Sequence, residues 1–125
     1  MSKYFTIYFL FFLFSCSQQE TKPAETPLDA AREYKTACLN GEFDKANFYL
    51  TNNSKQNFYF KKLQDDYSKL PSRQKKEVRE SSLIIYSVKE KFNNTTQIIL
   101  ASSYTKIKDT IDVVKQNEMW LIQLK

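Results

Sequence analysis

Asp112, Tyr86 and Tyr104 are the side chains whose types suit acid–base work, and each falls in a stretch rich in β-branched and aromatic residues. A carboxylate held in an apolar cavity has its pKa raised and can give or take a proton, helped by a tyrosine hydroxyl beside it. The plainer reading is stronger. Asp112 alternates with Ile111 and Val113, which read as core-facing, so Asp112 is expected on the solvated face of a strand. No catalytic residue is expected. Tyr104 and Trp120 are candidate pocket-lining residues, with core packing as the alternative for both. Cys38 sits beside Ala37 in a helical pattern and reads as a small buried apolar residue.

Composition removes whole classes of chemistry. The 125 residues contain no His, the commonest general base and transition-metal ligand. Two Cys far apart cannot build a Cys-only zinc site, and one Gly cannot supply a phosphate-binding loop or a dinucleotide fingerprint. No metal and no cofactor are expected. Lys+Arg 19 against Asp+Glu 14 gives a modest net charge of +5, and nucleic acid is not an expected partner. Lys61-Lys62 and the stretch from Lys69 to Arg79 are basic and could lean on anionic lipid. Glu77 and Glu80 interleave with them, which favours an ordinary solvated helix face. The three Asn-x-Ser/Thr matches in this Asn-rich chain, at Asn52, Asn93 and Asn94, are read as coincidence.

The beginning of the chain carries the most specific signal. Lys3 precedes an apolar run from Tyr4 to Phe14. As a helix that run covers about 16 Å, about half of a bilayer's hydrocarbon core. It reads as a secretory signal, residues 1–15. The run closes in Leu13-Phe14-Ser15-Cys16, which resembles a bacterial lipobox, with Leu at −3, a small residue at −1 and Cys at +1. The resemblance implies a diacylglyceryl group on the Cys16 thiol, cleavage before Cys16, and acylation of the new amine (palmitate being the usual chain). Two or more acyl chains anchor a protein stably, whereas one gives only marginal binding. Ser17 rather than Asp follows the lipidated position, which points to the outer rather than the inner membrane. Residues 16–26 hold no large apolar side chain after Cys16 and are expected to form a flexible tether.

The single domain is expected over residues 27–125. Thr26-Pro27-Leu28-Asp29 is a helix start, with Thr26 as cap and Pro27 in the first turn. Gly41 stands where a left-handed C-cap is wanted. A short helix over residues 42–50 follows. Asn52-Asn53-Ser54 is expected to cap a third helix carrying Phe60, Leu63, Tyr67 and Leu70, ended by Pro71. Residues 72–80 read as a short charged helix or turn. The period then changes, and strands are expected over residues 83–88, 97–104, 110–115 and 118–124. Helices first and a meander after define an α+β fold, with helices on one face of a curved antiparallel sheet of about four strands.

Ala30-Ala31-Arg32-Glu33-Tyr34, then Leu39-Asn40-Gly41-Glu42-Phe43-Asp44-Lys45-Ala46, and the closing Val113-Val114-Lys115 with Met119-Trp120-Leu121-Ile122 carry a wider resemblance. The order resembles small bacterial lipoproteins of the nuclear-transport-factor-2-like superfamily, a cystatin-like cone, several of whose families are known only as domains of unknown function. The resemblance covers most of residues 27–125 and implies a sheet curved around a helix, with a cavity open at one end. It implies no reaction, because folds of this kind host many functions. The expected role is a membrane-anchored, non-enzymatic binding or scaffolding module of the cell envelope. Its partner would be an envelope protein or a small apolar ligand, and relatives often pair as homodimers through the sheet. The alternatives are a small Asp/Tyr isomerase or hydrolase in the cone, or an inhibitor or immunity-type protein.

Overall fold

The computed structural model describes residues 21–125. The signal segment and Cys16 lie outside the described residues. Among the described residues four helices precede four strands: α1 Pro27–Leu39, α2 Phe43–Phe48, α3 Phe58–Ser68 and α4 Ser72–Glu80, then β1 Leu83–Lys91, β2 Thr95–Ser102, β3 Asp109–Gln116 and β4 Met119–Gln123. A 3-10 turn, Ser54–Gln56, leads into α3. The strands form one antiparallel sheet in the order β1-β2-β3-β4. This is the expected α+β class with four strands.

The ends of α1 are set by local chemistry. The Asp29 amide donates to Thr26 Oγ1 at 3.1 Å, and Pro27 occupies the first turn, where its missing N–H costs nothing. At the other end the Glu42 amide donates to the Ala37 carbonyl at 2.8 Å and the Gly41 amide to the Cys38 carbonyl at 3.2 Å. That pair of bonds is a Schellman motif, and it requires the left-handed Gly41, at φ 73°. An added Cβ at Gly41 would come within 2.4 Å of the Tyr67 ring on α3, so the turn also needs the space.

Helix α1 packs across all four strands. Its Ala30, Ala31, Tyr34 and Ala37 meet Ile98 and Leu100 of β2, Ile111 and Val113 of β3, and Ile122 of β4 in one core. Small side chains on α1 let the helix lie close to the sheet. Phe43 stands edge-on to Phe60 (6.1 Å) and to Tyr67 (5.6 Å), and so ties α2 to α3.

The two edges of the sheet are treated differently. Beside β4, the Ile122 amide donates to the Tyr49 carbonyl at 2.6 Å and the Thr51 amide to the Ile122 carbonyl at 3.0 Å, so the segment after α2 closes that edge. On β1 the register shifts between Ile85 and Ser87, which leaves Tyr86 in a bulge that bends the strand. The hairpins turn on Asn93 and Asn94, and on Asn117 and Glu118, all at positive φ. With Gly41 spent on a helix cap, the chain uses Asn in the left-handed turn positions that glycine fills elsewhere.

Several boundaries move. Asn57, rather than residues 52–54, caps α3: its Oδ1 accepts from the Tyr59 amide at 2.8 Å. Ser54 is instead buried, shared between Thr51 Oγ1 (2.7 Å) and the Leu124 amide (2.8 Å). Strand β1 runs on to Lys91, β2 stops at Ser102, and Glu118 belongs to the turn before β4. Residues 72–80 are a helix. Contacts with the domain also begin ahead of residue 27. Ala24 packs against the core, and the Lys22 carbonyl accepts a hydrogen bond from Tyr49.

Candidate functional site

A groove of about 610 Å³ opens where α1, α3, the start of β3 and the residues after β4 converge. Its geometry follows from the uneven ladder. Strand β4 pairs with β3 only as far as Asp112 opposite Gln123, while β3 continues back to Asp109. Beyond Gln123 the chain turns away, held by the Leu124 amide on Ser54 and the Lys125 carbonyl, which accepts from Asn57 at 3.3 Å. The gap left beside β3 is roofed by α3.

The apolar lining comes from Tyr34 of α1, Tyr59, Phe60 and Leu63 of α3, Ile111 of β3 and Leu124. Tyr34 and Phe60 are buried in contact, with ring centroids 6.4 Å apart. Charge is arranged around this floor as three ion pairs. Lys35 pairs with Asp109, Lys62 with Asp66 at 2.6 Å, and Lys125 with Asp112 at 3.2 Å. Partly exposed pairs of this kind are each worth roughly 0–1 kcal/mol, so they matter here by cancelling charge rather than by holding the fold.

Asp112 is the departure from the expected picture. It does lie on the face opposite Ile111 and Val113, beside Gln97 of β2 and Gln123 of β4 in the register. Its side chain is nevertheless only 13% exposed, and its Oδ1 is buried without a hydrogen-bond partner among the described residues. Its other oxygen faces Lys125.

Tyr86 and Tyr104 do not join it. Tyr86 stands in the β1 bulge, two strands away, 45% exposed, with Lys108 Nζ over its ring at 4.5 Å. Tyr104 is in the turn after β2, also 45% exposed, and not in a strand. Trp120 is partly buried on β4 against the core, with Lys115 Nζ 5.5 Å from its ring. Neither Tyr104 nor Trp120 lines the groove.

Beneath the groove, Tyr34 and Cys38 share one turn of α1, and both are buried. Burial pushes the Cys38 thiol up to about 11, against a smaller opposing pull from Lys35 and Tyr34. Burial raises the Tyr34 hydroxyl further still, with Cys38 adding to it. Both groups stay protonated at neutral pH, so neither can serve there as a base or a nucleophile.

Tyr34, Tyr59, Asp109 and Leu124 are groove residues that reading the sequence did not single out. One signal was available. Phe58-Tyr59-Phe60 on a helix spans about 200° of arc, so the three rings cannot all face one core. No family model matches the chain, and neither a curated protein nor a solved structure matches it.

Proposed function

We propose that this chain is a lipid-anchored protein of the cell envelope, tending to the outer membrane, whose α+β domain is a non-enzymatic binding module. The groove between α3 and β3 is its binding site, and a small apolar ligand or an apolar segment of an envelope protein is its occupant. The observation that carries this reading is the groove's make-up: an apolar floor of Tyr34, Phe60, Leu63, Ile111 and Leu124, rimmed by lysines that each have an aspartate partner. Such a lining takes up apolar surface, and each of its three lysines is neutralised by an aspartate among the described residues. Leu13-Phe14-Ser15-Cys16 supports the anchor. The order of helices and strands, with the Gly41 turn after α1, supports kinship with the nuclear-transport-factor-2-like superfamily.

Replacing Cys16 with Ser tests the anchor. The variant is expected in the soluble fraction, without the acyl mass that the wild-type chain carries. Unchanged membrane attachment and unchanged mass would overturn the anchor and leave the groove to be judged separately.

A further inference from the structure

The geometry points to a second contact with the membrane. The first turn of α3 and the 3-10 turn ahead of it, through Phe58, Tyr59 and Lys61 of the helix and Lys55 of the turn, rest on the anionic bilayer surface beside the lipid anchor. Phe58 and Tyr59 are 72% and 68% exposed, side by side with ring centroids 6.1 Å apart. Two large aromatic rings at the start of an amphipathic helix gain nothing from water. They are the side chains that settle at the headgroup level of a bilayer. The cations next to them are unclaimed: neither Lys55 nor Lys61 takes part in an ion pair among the described residues. Lysines near an anionic leaflet add attraction to it. The carboxylates of the next turn, Asp65 and Asp66, are held by Lys69 (2.9 Å) and Lys62 (2.6 Å), which mutes their repulsion.

The occupant follows from where the described chain begins. Thr21 lines a cavity with Gly41, Phe43 and Lys45, so the chain enters the domain at the start of α2. Phe43 in turn packs on Phe60, the neighbour of Tyr59 and Lys61. Between Cys16 and Thr21 the chain reaches at most about 18 Å. A bilayer that holds Cys16 by its acyl chains therefore lies within that reach of the α2 end of the helical layer, to which α3 is joined through Phe43 and Phe60. The Tyr49 bond to Lys22 and the packing of Ala24 keep the entry point fixed on the domain. This inference rests on the lipid anchor proposed above.

The test uses the full lipidated chain in vesicles of phosphatidylcholine with phosphatidylglycerol, some prepared with brominated acyl chains. Phe58→Trp is placed in a Trp120→Phe background, so that it is the one indole, and Tyr86→Trp in the same background is the control. A ring seated about 5–10 Å into the interface is expected to lose about half its emission to the bromines, while the control on β1 keeps its own. Adding Lys55→Ala and Lys61→Ala is expected to weaken the quenching of the indole on α3 while the acyl chains hold the protein on the vesicle. An acylated, vesicle-bound protein with equal quenching at the two positions overturns the α3 contact alone. Quenching absent from vesicles, with Phe58→Trp shielded only in native envelope, would assign the face to a protein partner and also overturn it. A chain with no acyl mass on Cys16 overturns the anchor itself, and this contact with it.

Discussion

The hydroxyl of Tyr49 donates to the backbone carbonyl of Lys22 at 2.8 Å, although the two residues belong to different parts of the chain. Tyr49 is otherwise buried, and its own carbonyl accepts from Ile122 on β4. One residue thus ties the incoming segment, the end of α2 and the sheet edge together. Tyr49→Phe keeps the ring and deletes only the hydroxyl. It is expected to cost about 0.5–1.5 kcal/mol in urea unfolding and to raise the backbone mobility of Ala24 and Glu25 in NMR relaxation. Unchanged relaxation there would mean that the packing of Ala24 alone holds the segment.

Gly41 combines a backbone demand with a steric one. Its φ of 73° costs any L side chain about 1–2 kcal/mol. An alanine Cβ would also displace the Tyr67 ring, which stacks edge-on against Phe43. Gly41→Ala is therefore expected to destabilise by more than the backbone share alone. In a Tyr67→Leu background the alanine's cost should fall back to that share. A double-mutant cycle by urea titration reads the difference, and strict additivity would show that the ring swings aside without cost.

The buried pair on α1 makes stability fall in alkali. Cys38 rises from 9.0 to about 11 on folding, and Tyr34 is raised above its ordinary 10.0, both chiefly by burial. The folded chain binds these protons more tightly than the unfolded one. Their contribution is complete below about pH 9 and is lost as pH climbs through the folded value, near 11 for the thiol. Thermal midpoints measured from pH 7 to 11 should hold steady and then decline from about 9. Cys38→Ala should flatten the first part of the decline, and Tyr34→Phe the later part. The native thiol should also resist alkylation at pH 8 and react once urea unfolds the chain. Rapid native alkylation would contradict its burial.

Elements written in neighbouring residues were legible in the sequence. Thr26, Pro27 and Asp29 specify the start of α1 within one turn, and Gly41 its end, because these are contacts of a residue with its own near neighbours. The strands announced themselves through Ile98, Leu100, Ile111 and Val113, and their antiparallel order followed from short connections. The start of α3 was misplaced because Asn52, Asn53, Ser54 and Asn57 all cap equally well by type. The choice is made by Leu124, seventy residues on from Ser54, which claims that hydroxyl and leaves Asn57 to cap.

The groove was not legible for the same reason. Tyr34, Leu63, Ile111 and Leu124 come from four separate elements, and no local pattern brings them together. Tyr104 and Trp120 were chosen as strand aromatics. One lies in the turn beyond β2, and the other packs on the core near the β3–β4 hairpin. Asp112 alternated with core residues as expected. Its burial and its ion pair with Lys125 are features that nothing in its own strand foretells.

Native mass spectrometry of the full lipidated chain, extracted in mild detergent from its own envelope, tests whether the α3–β3 groove is a binding site. A small added mass, or a bound envelope protein, is expected on the wild-type chain. Leu63→Glu in the groove should remove it, while Trp120→Phe outside the groove should keep it. A chain that flies bare in both forms, or an adduct that survives Leu63→Glu and is lost with Trp120→Phe, would contradict the assignment of the site to the α3–β3 groove.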